Sequence, residues 1–181
     1  ARDEEDIYIL TVVVGIDLED EQGTGDNTYT ACGSASNDGN PASGEGLYNE
    51  ALLDKDNDGE VDEVDDACGD LPYIELEKDF VGVTPNADGT YTVSYLITVE
   101  NSGGAEGTYS LTDTPGFDDD ITIINGGFMS NPACCPAMSG SFVGETTVVL
   151  ATNAPLAAGA TDTYTIDFVV TLDLERASND G

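Results

Sequence analysis

The chain has 181 residues, of which 37 are acidic and only 4 are basic, so its formal net charge at pH 7 is -33. Phosphate groups are bound by clustered Lys and Arg, so this composition excludes nucleic acids and anionic lipids as partners. The same charge attracts cations, and its self-repulsion costs folding free energy unless counter-ions or bound metal screen it. Hydrophobic residues nevertheless make up 39% of the sequence and lie in short runs, which predicts a packed core.

Catalysis is not indicated. The chain contains no His, which is the most frequent general base in enzymes. The sequence contains neither a phosphate-binding glycine loop nor a Gly-x-Ser-x-Gly motif, and no basic residue lies beside a cysteine to activate it. No run approaches the ~20 apolar residues of a membrane helix. We therefore expect a protein that is not an enzyme and does not insert into a membrane within this segment.

The first predicted element is an apolar strand at residues 7–14. The segment around it, residues 6–19, resembles residues 162–175 at an offset of 156 positions, and such an internal echo indicates a repeat. We interpret residues 1–19 as the equivalent of the last strand of a preceding copy. Seven residues recur without a gap: Asp6, Tyr8, Val13, Val14, Asp17, Leu18 and Glu19 match Asp162, Tyr164, Val169, Val170, Asp173, Leu174 and Glu175.

Residues 20–70 are predicted to form a loop-rich junction that contains a calcium site. Side-chain oxygens alternate along residues 54–65, Gly59 stands where such a loop must turn sharply, and Val61 stands at the usual apolar anchor. The spacing resembles the calcium loops of EF-hands, dockerins and thrombospondin type 3 repeats, although flanking helices are not evident, which favours a loop between strands. The candidate ligands are Asp54, Asp56, Asp58, Glu60, Asp62 and Asp65.

Two features of this loop leave its chemistry open. The last position carries Asp65 where EF-hands have Glu, so bidentate coordination from this residue is in doubt. The alternative interpretation is an acidic, solvated linker that fits the calcium pattern by chance. Exposed acidic residues are common in a chain of this charge.

The four cysteines, Cys32, Cys68, Cys134 and Cys135, predict disulfides and an oxidising compartment. The absence of His argues against a zinc site that mixes Cys and His. We favour a bond between Cys32 and Cys68, which would close the acidic segment between them. Cys134 and Cys135 then form either a disulfide between sequence neighbours or two thiols, and two cross-links between the halves of the chain remain an alternative.

Residues 71–175 contain most of the strand signals. Short runs that alternate between apolar and polar residues are separated by clusters of Gly, Pro and Asn, and no helical period is present. This pattern predicts an all-β fold, an immunoglobulin-like antiparallel β-sandwich. The predicted strands lie at residues 73–80, 90–99, 107–112, 121–124, 146–150 and 161–174.

The same region resembles the conserved repeat domain, catalogued as a domain of unknown function, of bacterial and archaeal surface proteins. That resemblance implies an immunoglobulin-like sandwich that occurs in tandem and builds stalks and adhesins, with residues 176–181 beginning the next junction. The motifs that carry it are Glu77-Lys78, the run from Tyr91 to Gly103, the run from Gly107 to Pro115, and the run from Pro155 to Tyr164.

Together these features predict an extracellular, cell-surface structural protein. We expect a repeat or subunit of a surface fibre or adhesin stalk that calcium and a disulfide make rigid. Its partners would be neighbouring copies of itself, joined either as a tandem array or by strand exchange. The alternative is a ligand-binding adhesin module that recognises a glycan or another cell's surface.

Overall fold

The computed structural model describes residues 6–15 and 46–173. Within these ranges all regular structure is β-strand, and every strand pair is antiparallel. The described part of the chain contains no helix of a length and apolarity that would cross a membrane. The strands are β1 (Asn49–Leu53), β2 (Glu63–Ala67), β3 (Ile74–Pro85), β4 (Tyr91–Asn101), β5 (Gly107–Asp113), β6 (Ile121–Asn131), β7 (Ser139–Phe142), β8 (Val148–Leu156) and β9 (Thr161–Leu172).

The described residues form three sheets. The largest has five strands in the order β3-β4-β9-β6-β7, and two further sheets consist of the pairs β5-β8 and β1-β2. Strand β9 lies in the middle of the large sheet, where it is hydrogen-bonded to β4 on one side and to β6 on the other. Its sequence alternates accordingly, with Tyr164 and Ile166 buried and Thr165 and Asp167 exposed.

Side chains from the five-stranded sheet and from β5-β8 share one core. Phe168 of β9 lies at its centre, with its ring centroid 4.8 Å from that of Phe142, 5.3 Å from Phe117 and 6.3 Å from Tyr95. Burial of each large apolar side chain contributes about 1.5–3 kcal/mol. The buried hydrophobic residues are Ile97, Val99, Leu111, Phe128, Phe142, Leu150, Ala151, Leu156, Tyr164, Ile166, Phe168 and Val170.

The structure confirms the all-β, antiparallel prediction, while the immunoglobulin-like assignment stays a prediction. Strand β6 continues beyond residue 124, where the sequence predicted its end, and β7 was not expected from the sequence. The expected strand at residues 7–14 has no strand assignment in this structure, and its apolar side chains are exposed. The segment predicted as a loop-rich junction contains the hairpin β1-β2.

Candidate functional site

The predicted calcium loop connects the two strands of the β1-β2 hairpin. Leu53 pairs with Glu63 at the base of the loop, and the backbone N–H of Asp62 donates to the carbonyl oxygen of Leu53 over 2.8 Å. The loop is therefore held between strands and not between helices, as the sequence favours. Asp65, at the last position of the pattern, lies within β2 opposite Ala51.

Asp54 organises the loop. One carboxylate oxygen accepts hydrogen bonds from the backbone N–H groups of Asn57 (2.6 Å) and Asp56 (3.2 Å), and the other accepts from Gly59 (2.9 Å). Asn57 and Gly59 have positive φ angles of 61° and 91°, a conformation that glycine adopts easily and that Asn tolerates. The hydrogen bond from Gly59, followed by those from Asn57 and Asp56, lowers the pKa of Asp54 below its ordinary value.

Three of the six predicted ligands come together. Carboxylate oxygens of Asp54, Asp56 and Asp62 lie within 4.8 Å of one another, and all three residues are exposed. Calcium takes six to eight oxygen ligands, so this cluster would supply part of a coordination sphere that water and backbone carbonyls complete.

The other three candidates do not join that cluster. Asp58 accepts a hydrogen bond from the backbone N–H of Glu60 over 2.8 Å, and Asp65 accepts one from the backbone N–H of Asp66 over 3.1 Å. Glu60 is exposed. The loop in this conformation therefore presents three carboxylates to a common centre, and the sequence pattern proposes six.

A lysine borders the cluster. Lys55 forms an ion pair of 2.5 Å with Glu63, and its backbone N–H donates to the Asp62 carboxylate over 2.6 Å. The hydrogen bond from Lys55 lowers the pKa of Glu63, and the positive charge of Lys55 acts in the same direction. Because both side chains of the pair are more than half exposed, the pair positions the loop more than it stabilises the fold.

A second acidic group lies at residues 118–120, where three carboxylates also approach within 4.8 Å of one another. Asp118 accepts a hydrogen bond from the backbone N–H of Asp120 over 3.0 Å, which is the bonding of a side chain that caps its own turn.

Asp113 has a different role, because it is buried and forms an ion pair with Lys78. The Nζ atom of Lys78 also lies 5.0 Å from the centre of the Tyr95 ring.

The three cysteines within the described residues lie in two places. Cys134 and Cys135 form a disulfide between sequence neighbours, with 3.8 Å between their Cα atoms, in the loop between β6 and β7. Cys68 is half-buried just after β2 and is disulfide-bonded, and its predicted partner Cys32 lies outside the described residues. The Cys134–Cys135 loop borders a cleft of about 360 Å³ whose walls are mainly apolar and include Pro132, Pro136 and Met138.

Two polar side chains are buried and hydrogen-bonded in a way that the sequence did not predict. Asp162 on β9 is 1% exposed and accepts hydrogen bonds from the Tyr109 hydroxyl over 2.5 Å and the Ala133 backbone N–H over 2.6 Å. Burial, followed by the hydrogen bond to Asp162, raises the pKa of Tyr109 far above its ordinary value, so its hydroxyl remains a donor at neutral pH. The inward position of Asp162 follows from the period of two that it shares with Tyr164.

Asn101 is the second of these residues, with no exposed surface. Its amide nitrogen donates to the carbonyl oxygens of Ala105 (2.8 Å) and Leu156 (3.0 Å), and its oxygen accepts from the backbone N–H groups of Tyr73 (3.0 Å) and Gly103 (3.1 Å). Asn101 therefore connects three separate stretches of chain at one end of the large sheet.

Comparison of the chain with protein-family models, with curated proteins and with solved structures finds no match. The resemblance of residues 71–175 to a surface-protein repeat therefore depends on its own motifs and stays a prediction.

Proposed function

We propose that this chain is a structural repeat of an extracellular surface fibre or adhesin stalk, and that calcium makes the junction ahead of its β-domain rigid. The observation that carries the proposal is the hairpin loop, in which Asp54 accepts three backbone hydrogen bonds and approaches the carboxylates of Asp56 and Asp62. An immunoglobulin-like sandwich remains the fold proposed for residues 71–175.

Electrostatics support a cation at this loop. Three carboxylates within 4.8 Å of one another repel, and the nearest basic side chain found there, Lys55, is already paired with Glu63. The whole chain has 37 acidic and 4 basic residues, so its own side chains do not neutralise such a cluster. A divalent cation would remove this repulsion, and its hard character matches a set of carboxylate oxygens.

The connection between the hairpin and the β-domain supports a mechanical role. The backbone N–H of Leu47 donates to the carbonyl oxygen of Gly69 over 2.8 Å. The backbone N–H of Ser102 donates to the carbonyl oxygen of Tyr73 over 2.9 Å. A Cβ atom added at Gly103 would lie 2.4 Å from both the Leu71 carbonyl oxygen and the Tyr73 nitrogen. The chain that leaves the hairpin thus packs closely against the domain, so stiffening of the loop would be transmitted to it.

The test is thermal unfolding and calcium titration of the full chain. Calcium should raise the melting temperature, chelation with EDTA should reverse the rise, and Asp56→Asn should weaken both effects because it removes one carboxylate of the cluster. Asp79→Asn is the matched control, because Asp79 is an exposed residue of β3 that lies outside either acidic cluster. Its response to calcium should equal that of the unchanged chain.

Two results would contradict the proposal. One is a melting temperature that calcium and EDTA leave unchanged. The other is an equal loss of the calcium response in both variants, which would show that calcium only screens the overall charge. Chelation that releases a bound glycan from a chain of unchanged stability would instead favour the ligand-binding alternative.

A further inference from the structure

The N-terminal segment exposes an unusual amount of apolar surface. No strand is assigned in residues 6–15, and seven of their large hydrophobic side chains are exposed, from 53% at Val14 to 95% at Val13. An apolar run of this length is an aggregation hazard unless other chain covers it. The run alternates Ile7 and Ile9 with Tyr8 and Leu10, so it can present an apolar face to a core in an extended conformation.

The structure of β9 shows which place in a sheet the sequence of residues 6–15 fits. At the 156-residue offset, residues 6–15 align with residues 162–171. All five positions of β9 that face the core then correspond to core-compatible residues of the N-terminal segment. Asp162, Tyr164, Ile166, Phe168 and Val170, which are buried, align with Asp6, Tyr8, Leu10, Val12 and Val14.

The polar pair at the start of the match carries the most information. Asp162 and Tyr164 are both 1% exposed, and both bond to the hydroxyl of Tyr109, over 2.5 Å and 2.6 Å. A buried aspartate is a rare choice on the inner face of a strand, because its charge must be met by donors at that place. Asp6 and Tyr8 reproduce this pair at the same spacing, which general β-strand composition does not explain.

We propose that residues 6–15 form the central strand of a second copy of this domain, between the strands equivalent to β4 and β6. The proposal rests on the repeat architecture put forward above and identifies the contact that joins two copies. In this chain the corresponding place is filled by β9, whose backbone pairs with Tyr91–Glu100 on one side and with residues 121–131 on the other. The N-terminal strand therefore has to complete a different copy.

The two strands differ in side-chain size at one core position, and the experiment has to allow for this difference. Val12 aligns with Phe168, whose ring contacts the rings of Phe142, Phe117 and Tyr95. Val12 in the same surroundings would leave a cavity, which destabilises a core in proportion to its volume. The experiment therefore uses both the native Val12 and a Val12→Phe form that fills the space.

The experiment extends the chain at its N-terminus. A second copy of residues 20–161 is placed directly before Asp6 of the chain, so that residues 6–15 follow it as residues 162–171 follow residue 161 in the native chain. Hydrogen exchange measured by mass spectrometry then compares residues 7–14 in the 181-residue chain and in this two-copy protein. We expect rapid exchange in the former, and exchange slowed by at least ~100-fold in the two-copy protein, as in the amides of β9.

A pair of substitutions tests which face is buried. Leu10 aligns with Ile166, which has no exposed surface, and Ile9 aligns with Thr165, which is exposed. In the 181-residue chain both are exposed, at 72% and 88%, so neither Leu10→Asp nor Ile9→Asp should alter its folding. In the two-copy protein Leu10→Asp should abolish the protection of residues 7–14, and Ile9→Asp should preserve it.

Rapid exchange of residues 7–14 in both the Val12 and the Val12→Phe two-copy proteins would overturn the proposal. Equal effects of Leu10→Asp and Ile9→Asp would also overturn it, because they would indicate unspecific collapse. Measurements in EDTA and in calcium separate this inference from the proposed function. A calcium role can fail while strand protection is present, and strand protection can fail while calcium still stabilises the hairpin.

Discussion

Replacing Asn101 by alanine should be among the most destabilising single changes in the domain. The side chain has no exposed surface and makes four hydrogen bonds, all of them to backbone groups. Alanine would remove all four while leaving the backbone partners in place. Each partner that stays buried without a replacement costs about 1–3 kcal/mol.

The magnitude depends on how many of these partners water can reach after the change. The Leu156 carbonyl oxygen and the Gly103 N–H belong to buried residues, so the loss of these two bonds should carry the full cost. Ala105 and Tyr73 are half-buried and more easily hydrated. We therefore expect a loss of about 3–5 kcal/mol, which is a large fraction of the ~5–15 kcal/mol stability of a typical domain.

Urea denaturation followed by far-UV circular dichroism measures this loss, and Ser102→Ala is the neighbouring control. Ser102 is exposed, and its hydroxyl makes only a 3.3 Å hydrogen bond to Glu75, so its replacement should cost less than about 0.5 kcal/mol. A loss below about 1 kcal/mol for Asn101→Ala, or equal losses for the two variants, would refute the view that Asn101 clamps this end of the sheet.

Two further predictions concern Asp162 and Asp54. Tyr109→Phe removes a donor from the buried Asp162 carboxylate and should cost about 1–3 kcal/mol in urea denaturation, whereas Tyr91→Phe, without a hydroxyl partner in the described structure, should be nearly neutral. Hydrogen bonding lowers the pKa of Asp54, so its contribution to loop stability is complete above the ordinary value of 3.8 and is lost as pH falls through the folded-state pKa. In EDTA, the Gly59 amide chemical shift should follow that titration; a midpoint at or above 3.8 would contradict the prediction.

Strands with one buried face were predictable, and strands without that pattern were not. The alternation in β4 and β9 is visible in the sequence because one face of each packs on the core. Strands β1 and β2 escaped prediction because they pair only with each other and are almost wholly exposed, so no alternation marks them. The two strands flank the acidic loop and bring its two ends together.

The glycines of β6 explain a second failure. Residues 125–127, Asn-Gly-Gly, are typical of a turn, so the sequence predicts that the strand ends at residue 124. In the structure β6 continues through them, and a Cβ atom at Gly126 would lie 2.6 Å from the Phe168 ring, so glycine at this position makes room for that ring. Glycine here permits a close approach between neighbouring strands and does not mark a turn, a distinction that depends on a residue 42 positions away in the sequence.

The spacing of the acidic residues predicted six ligands, of which three lie together in the structure. Alternation brings Asp54 and Asp56 to one side, and the return of the hairpin adds Asp62, whereas pairing within β2 fixes Asp65 opposite Ala51. In the loops between helices from which the twelve-residue pattern is taken, the last position supplies a bidentate ligand. Here that position lies within β2, so the sequence pattern predicts the first turn of the loop better than its end.

In the described part of the chain, lysines lie where acidic groups would otherwise oppose folding. Both lysines in the described ranges form ion pairs: Lys55 with Glu63 beside the acidic loop, and Lys78 with the buried Asp113. An exposed pair contributes little, but a buried carboxylate without its partner costs about 3–5 kcal/mol. With 37 acidic residues and so few cations, the remaining repulsion has to be relieved from outside the chain. Metal at the hairpin would relieve that repulsion, whereas a neighbouring copy over residues 7–14 would cover exposed apolar side chains, so each would supply an interaction that the isolated chain does not provide for itself.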